Sequence, residues 1–238
     1  MKYLVIGPGA MGVYAFIGKL KRLKDDGHLD DLEEISASSA GALAAWYILT
    51  NMHLDDALKL NPAAMFKVRI KNLMKNEGLI DQTEALDAMK AHSSRTFSEM
   101  YRDTKVKLHV AAFSLEKMST VYLSVDTAPD MLVAEAITAS ISIPIMFQPF
   151  KGYLDGSIME ELPWTPFAHL PPDNISAIRL VCRESPPKGL LRILTVILGM
   201  RAKYHGRTID VDIGDINWLD FKLSHDVKLQ MFLLGYTA

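Results

Sequence analysis

The sequence predicts a three-layer α/β domain with a mainly parallel central sheet. The chain has 238 residues, of which 49% are hydrophobic, and this is enough for one complete hydrophobic core. Short apolar runs typical of buried strands alternate with stretches whose apolar residues follow helical spacing. Such alternation is typical of a parallel sheet covered by helices on both faces, with functional sites in the loops that follow the carboxyl ends of the strands.

Two strand–turn–helix units open the chain. Residues 2–6 form an apolar run that predicts a buried strand, closed by the glycine-rich turn 7–12. Apolar residues at helical spacing then predict a helix to about Arg22. A second strand is predicted at 32–38, and an apolar helix over 42–49 follows its turn.

A single domain over 1–238 with a helical insertion at about 54–102 is expected. The insertion is rich in Ala, Leu, Met and Lys and poor in β-branched residues, and Asp81 or Thr83 is a candidate helix cap. After it, the pattern predicts strands at 106–115, 120–125 and 175–182 and a helix at 131–141.

Composition excludes several classes of function. A formal charge of -2 and a pI near 6.4 give no general basic surface, so no nucleic-acid partner is expected. Cys182 is the one cysteine, predicted to be inert, and the histidines lack metal-ligand spacing, so no metal site is expected. No apolar stretch is long enough to span a membrane, and the first apolar run is too short for a secretory signal. These observations favour a cytoplasmic location.

The first glycine-rich turn, Gly7–Gly12, reads GPGAMG and matches G-x-G-x-x-G between a strand and a helix. This context is typical of dinucleotide-binding proteins, which also need an acidic residue at the end of the second strand. Here the acidic residues precede or begin that strand, at positions 30, 31, 33 and 34. A tight turn that binds no ligand is the other interpretation.

The second turn, Ala37–Gly41, fits G-x-S-x-G with alanine in the first glycine position. In such a turn Ser39 is exposed as a nucleophile, and the first N–H groups of the following helix point toward the site. A helix cap formed by Ser38 or Ser39 explains the same residues equally well.

Two later segments decide between these interpretations. Residues 139–149 read ASISIPIMFQP, and residues 155–157 read Asp-Gly-Ser. Together with the two turns, in this order and over about two-thirds of the chain, they resemble the patatin-like phospholipase family. The family motifs are G-G-G-x-[KR]-G, G-x-S-x-G, A-S-x-x-I-P-x-x-F-x-P and D-G-[GA]. This chain departs from them at Pro8, Met11, Ala37 and Ser157.

The resemblance implies a lipid acyl-ester hydrolase of the phospholipase A or lysophospholipase type, acting on a lipid or lysolipid. Ser39 would be the nucleophile and Asp155 its general base, and neither calcium nor an organic cofactor is implied. Because an ordinary aspartate is a weak base, Asp155 is expected to be buried. The expected oxyanion-hole residues are Gly7, Gly9, Ala10, Gly12 and Ala40, and the residues expected to support the motifs are Ala37, Gly41 and Gly156. Pro8 has no N–H group to donate.

A non-catalytic lipid- or protein-binding module with the same fold is the alternative function. No histidine is assigned to catalysis: His109 is expected in the core and His225 on a solvated C-terminal helix. Residues 188–207 are apolar and basic, which fits both an outer-layer helix and a peripheral membrane contact.

Overall fold

A mostly parallel sheet forms the centre of the computed structural model, which describes residues 1–59, 67–68, 78–183 and 202–238. The strands are β1 (Tyr3–Ile6), β2 (Glu34–Ser38), β5 (Lys107–Ser114), β6 (Ser119–Leu123), β8 (Tyr153–Asp155), β9 (Ile175–Val181) and β10 (Thr208–Asp212). Their order in the sheet is β10-β9-β1-β2-β5-β6, and β8 also pairs with β5. Four of these pairings are parallel, whereas β6 and β8 run antiparallel to β5. The predicted α/β class with a mainly parallel sheet is confirmed.

The helices of the described residues connect these strands. They are α1 (Val13–Asp25), α2 (Ala40–Leu49), α3 (Leu54–Lys59), α4 (Thr83–His92), α5 (Phe97–Thr104), α6 (Val133–Ser140) and α7 (His225–Thr237). α1 packs on α2 and α7, and α2 packs on β2 and α6. α1, α2, α6 and α7 thus join in one helical layer against the sheet.

Strand β1 shows how the sheet is buried on two sides. Leu4 and Ile6 belong to the large core beneath the helical layer, whereas Val5 belongs to a smaller cluster on the opposite face. All three are fully buried, as the alternation of side chains along a strand requires. In the described residues that opposite face is covered by the segment around the short 3-10 helix Thr165–Phe167.

Strand β5 carries two strands on one edge. β2 runs parallel to it and ends with Ser38 opposite Ala111, while β8 runs antiparallel to it and ends with Asp155 opposite Ala112. β6 pairs with the other edge of β5, so β2 and β8 lie one after the other along the same edge. The carboxyl ends of β2 and β8 therefore meet head to head.

The segment 54–102 contains the helices α3, α4 and α5, but it also contains strands that the sequence did not indicate. β3 (Lys67–Val68) and β4 (Gly78–Asp81) join β7 (Ile145–Phe147) in a second, three-stranded sheet. β4 is a strand because its backbone pairs with β7, which is distant in sequence. The predicted helix cap is wrong, because Gln82 is the N-cap residue of α4 and caps it with no side-chain hydrogen bond. The Asp81 carboxylate, one residue earlier, accepts a hydrogen bond from the backbone N–H of Thr83 at 2.9 Å.

Most of the apolar and basic segment 188–207 lies outside the described residues, and its described part, 202–207, contains no helix. Across the parts of the chain that the structure describes, no helix combines the length and apolar character needed to cross a bilayer.

Candidate active site

Ser39 occupies the sharp turn between β2 and α2. Its φ of 52° and ψ of -126° are a strained conformation for a residue with a side chain, and such strain is typical of functional turns. The helix after the turn packs directly on β1, because a Cβ atom on Gly41 would lie 2.5 Å from the carbonyl oxygens of Ile6 and Gly7. Only glycine permits this approach, which explains the residue two positions after the serine.

Ser39 does not cap the helix with its side chain, so the capping interpretation is wrong for this residue. Its backbone N–H instead donates a hydrogen bond of 2.8 Å to Ser140 Oγ at the end of α6. Ser38 precedes it in the strand and is fully buried, and its hydroxyl has no hydrogen-bond partner among the described residues. Ser38 therefore does not cap the helix either.

Asp155 ends strand β8 and is 2% exposed. The backbone N–H and the hydroxyl of Ser157 both donate to its Oδ1 atom, at 2.8 and 2.7 Å. Its own N–H donates to the carbonyl of Ser142 at 2.9 Å. Ser157, which departs from the family motif, thus adds a hydrogen bond that orients the carboxylate. A Cβ atom on Gly156 would overlap the carbonyl of Ala111, so β8 turns away tightly against β5.

The head-to-head ends of β2 and β8 bring the Ser39 turn and Asp155 to neighbouring positions along β5. Ser140 connects the two turns. Its Oγ accepts from the N–H of Ser39, and its carbonyl accepts from the N–H of Gly156 at 3.3 Å. The Ser39 turn and the Asp155 turn are therefore both held by one fully buried residue, Ser140.

The glycine-rich loop offers fewer oxyanion donors than the sequence suggests. The N–H of Gly7 donates to the carbonyl of Ile178 at 3.1 Å, and the N–H of Gly12 donates to the carbonyl of Gly9 at 2.7 Å. These two groups are occupied and shape the loop, which corrects their assignment as donors. The N–H groups of Gly9 and Ala10 make no hydrogen bond to another described residue. Ala40 begins α2, so its N–H has no partner within the helix.

The same loop lacks the features of a dinucleotide site. A Cβ atom on Gly12 would overlap the Leu180 side chain, so this glycine lies in close contact with β9. Glu34 begins β2 and Ser38 ends it, so no acid stands at the carboxyl end of that strand. The loop conformation is completed by the N–H of Met11, which donates to the carbonyl of Trp218 at 2.9 Å.

A small apolar cavity of about 100 Å³ opens beside Ser39. Ala10 and Met11 of the glycine-rich loop line one side, and Phe147 and Phe221 line another with their rings in an edge-to-face arrangement at 6.1 Å. Asp155 is not among the described residues that line this cavity.

The other polar candidates are not among the described residues that line the cavity beside Ser39. His109 is 8% exposed and its ring hydrogen-bonds Glu34 at 2.7 Å, as expected for a satisfied core residue. His225 begins α7 and is exposed. Cys182, just after β9, is partly buried. Within the described ranges no three His, Cys, Asp or Glu side chains are grouped closely enough to hold a metal ion.

Several residues of the site were not singled out from the sequence. Ser140 and Ser142 lie within the ASISIP segment, so their position in a motif was a signal, but the hydrogen bonds that they make were not predictable from it. Ile178 and Trp218 act only through backbone carbonyls, and no side-chain pattern marks such a contact.

Comparison with known proteins gives consistent matches. A family model described as patatin-like phospholipase matches residues 4–168. The probable lipid hydrolase 463L of Invertebrate iridescent virus 6 is 27% identical over 181 residues, which cover 68% of this chain and 61% of that protein. Among solved structures, VipD from Legionella pneumophila matches with a TM-score of 0.64 at 14% identity, over 99% of this chain and 65% of VipD. The ExoU–SpcU complex of Pseudomonas aeruginosa matches with a TM-score of 0.50 at 18% identity, over 100% of this chain and 50% of the matched chain.

The structural matches support the fold, and the family model covers more than half of the chain, including the glycine-rich loop, the Ser39 turn and Asp155. On this evidence the chain belongs to the patatin-like phospholipase family.

Proposed function

We propose that this chain is a lipid acyl-ester hydrolase of the phospholipase A or lysophospholipase type that works through a Ser39–Asp155 dyad. The observation that carries the proposal is the meeting of β2 and β8 on β5, which brings the strained Ser39 turn and the buried Asp155 to neighbouring positions along that strand. Membership of the family and the similarity to a probable lipid hydrolase support the choice of a lipid ester as substrate.

In the first half of the reaction, Ser39 Oγ attacks the ester carbonyl carbon while Asp155 accepts the hydroxyl proton. The negative charge that develops on the carbonyl oxygen is stabilised by the N–H groups of Gly9, Ala10 and Ala40. The bond to the leaving alcohol then breaks, and the alcohol takes the proton from Asp155. The product is an acyl-enzyme on Ser39.

In the second half, a water molecule attacks the acyl-enzyme and gives its proton to Asp155. The same N–H groups stabilise the second tetrahedral intermediate. When this intermediate collapses, the proton returns to Ser39 Oγ and the fatty acid is released. Aspartate acts as base and acid in turn, so the cycle needs no histidine.

Labelling with a fluorophosphonate probe tests the nucleophile directly. Mass spectrometry of the labelled protein should find the phosphonyl group on Ser39, and Ser39→Ala should abolish both labelling and hydrolysis of a soluble short-chain ester. Ser38→Ala is the matched control, because Ser38 is adjacent in sequence but lies outside the cavity, and it should keep activity. A folded protein that no probe labels would favour the non-catalytic binding module instead.

The base is tested by Asp155→Asn, which keeps the shape of the side chain but removes its ability to accept a proton. Activity should fall by orders of magnitude. His109→Gln serves as the control and should retain most of it, since His109 pairs with Glu34 away from the serine. If the histidine variant lost turnover and the asparagine variant kept it, the dyad would be wrong.

The proposal includes peripheral contact with membranes through 188–207, where basic residues accompany an apolar run. Binding to anionic vesicles should weaken with added salt and after charge reversal at Arg201 and Lys203. Hydrolysis of a soluble ester should not change in that variant. Equal recruitment of the variant and the parent by anionic vesicles would exclude this segment as the contact.

A further inference from the structure

Gln82, at the N-terminus of α4, is a buried polar side chain outside the cavity beside Ser39. It is 4% exposed, and its Nε2 atom donates a hydrogen bond of 2.7 Å to Ser142 Oγ. It is not among the described residues that line that cavity. Glutamine is rarely buried to this degree, because an amide that leaves water without a partner costs free energy. The bond to Ser142 therefore explains why a glutamine can occupy this position.

The hydroxyl of Ser142 fixes the direction of this hydrogen bond. Ser142 is fully buried, and its Oγ atom donates to the carbonyl of Thr138 at 2.8 Å. A hydroxyl has one hydrogen, which is used here, so the Ser142 oxygen can only accept from residue 82. The amide of glutamine supplies a donor, whereas the carboxylate of glutamate, which has nearly the same shape, supplies none. The position thus requires a particular chemical group and not only a particular volume.

Ser142 in turn holds the backbone of the Asp155 turn. Its carbonyl accepts a hydrogen bond from the N–H of Asp155 at 2.9 Å, beside the bond of 3.3 Å from the N–H of Gly156 to the carbonyl of Ser140. Ser140 is the last residue of α6, so Ser142 lies past the regular part of the helix. Its position depends on side-chain hydrogen bonds more than that of a residue inside the helix does. Gln82 supplies one of these bonds.

The second sheet holds Gln82 in place. Gln82 directly follows β4, and β4 pairs in parallel with β7. The N–H of Gln148, just after β7, donates to the carbonyl of Ile80 in β4 at 2.9 Å. The chain from Ser142 to Gln148 is therefore attached to the β4 segment at both ends, by a side chain at one end and by backbone pairing at the other. Gln82 thus joins the second sheet to Ser142.

We infer that Gln82 is a positioning residue for the proposed base: through Ser142 it holds the backbone of Asp155, and thereby the carboxylate, where it accepts the proton of Ser39. This inference rests on the proposed function and adds that the segment 54–102, which contributes neither residue of the dyad, takes part in catalysis through Gln82. A displaced base lowers the rate of proton transfer without changing how the ester binds. Loss of this contact therefore lowers kcat and leaves KM nearly unchanged.

A double-mutant cycle tests this role. Gln82→Met keeps the volume of the side chain and removes the donor, and Ser142→Ala removes the acceptor but keeps the backbone carbonyl. Each should lower kcat on a soluble short-chain ester about tenfold. Together they should also lower kcat about tenfold rather than about 100-fold, because both remove the same contact. Gln82→Glu, which offers no donor, should resemble Gln82→Met and supplies the comparison if the methionine variant does not fold.

The matched control is Leu86→Ala, one turn further along α4. Leu86 is also buried and belongs to the large core, but its side chain has no hydrogen-bonding group. The control should lower the midpoint of urea unfolding and keep kcat. An equal fall of kcat in Leu86→Ala, or a fall of about 100-fold in the double variant, would overturn the positioning role, because lost packing at α4 would then explain the result.

Hydrogen exchange separates this inference from the proposed function, since it needs no turnover. In Gln82→Met the amides of Asp155 and Gly156 should exchange about tenfold faster than in the parent, while the amides of β1 keep the parent rate. Faster exchange at these two amides, with no ester hydrolysed by the parent, would overturn the proposed enzyme and support Gln82 as the residue that holds the Asp155 turn. Unchanged exchange at both amides would overturn the inference, whether or not the parent hydrolyses an ester.

Discussion

Replacing Ser140 with alanine tests whether the Ser39 turn, which carries the proposed nucleophile, depends on its hydrogen bond to Ser140 for its geometry. In the native protein the N–H of Ser39 donates to Ser140 Oγ at 2.8 Å inside a fully buried environment. The Ser140→Ala variant leaves that N–H without an acceptor. It keeps the Ser140 carbonyl, so the bond from the N–H of Gly156 to that carbonyl survives.

The size of the effect follows from two contributions. An unpaired buried donor costs about 1–3 kcal/mol, so the free energy of unfolding should fall by that amount. The strained backbone of Ser39 stores a similar amount, about 1–3 kcal/mol, and without its partner the turn can relax. A displacement of about 1 Å of the nucleophile can lower the rate by about 100-fold. We therefore expect kcat to fall about 10- to 100-fold, with KM little changed.

The assay measures kcat and KM on a soluble ester together with urea unfolding. Thr138→Val is the matched control, because Thr138 is also fully buried on α6 but its hydroxyl donates only to the carbonyl of Ala134, at 2.8 Å. This control should lose about 1 kcal/mol of stability and keep kcat. An unchanged kcat in folded Ser140→Ala, or an equal fall in Thr138→Val, would refute a positioning role for Ser140.

Three further predictions concern the aspartate turn and the core. Gly156→Ala should lower both stability, by about 1–3 kcal/mol in urea unfolding, and activity, since the new methyl group would push β8 away from the Ala111 carbonyl. Ser157→Ala should lower kcat only several-fold, because the backbone N–H of residue 157 still holds Asp155 Oδ1; complete loss would mean that the hydroxyl has a larger role. Burial raises the pKa of Tyr14 to about 12 from its ordinary value near 10, so its stabilising effect is complete below pH 10 and is lost as the pH rises toward 12. At pH 11 the parent should have lost about 1.4 kcal/mol relative to Tyr14→Phe, measured by urea unfolding at pH 8 and 11.

The periodic elements of the fold were predictable because local pattern and tertiary structure agree. The strand predicted at 2–6 is observed as Tyr3–Ile6. The helix predicted to end near Arg22 continues to Asp25, because its last turn gains ion pairs from Lys21 to Asp25 and from Arg22 to Asp26. Such pairs between residues four apart extend a helix past its last apolar contact.

The short strands were not predictable, because they exist through their partners. Gly78–Asp81 has no strand pattern of its own and becomes extended by pairing with Ile145–Phe147. Tyr153–Asp155 is only three residues long and depends on β5. Local sequence carries no information about such distant pairing.

The same distinction between local patterns and distant contacts applies to the candidate site. The Ser39 turn could be recognised because small residues around a serine between a strand and a helix are a local pattern. It could not be recognised from the sequence that Gly7 and Gly12 are not oxyanion donors. Their N–H groups donate to carbonyl groups that only the folded loop and β9 bring near.

The shared edge of β5 has a consequence for how the length of the chain between Ser39 and Asp155 can vary. The positions of the Ser39 turn and of Asp155 relative to each other are set by two successive residues of one strand, Ala111 and Ala112, and not by the number of residues between Ser39 and Asp155. Loops between them can therefore lengthen or shorten without moving either group. A single residue inserted between Ala111 and Ala112 would instead shift one partner by about 3.3 Å and reverse the face of every later side chain in the strand. Ala111 and Ala112 thus fix the spacing of the two turns, although neither has a part in the proposed reaction.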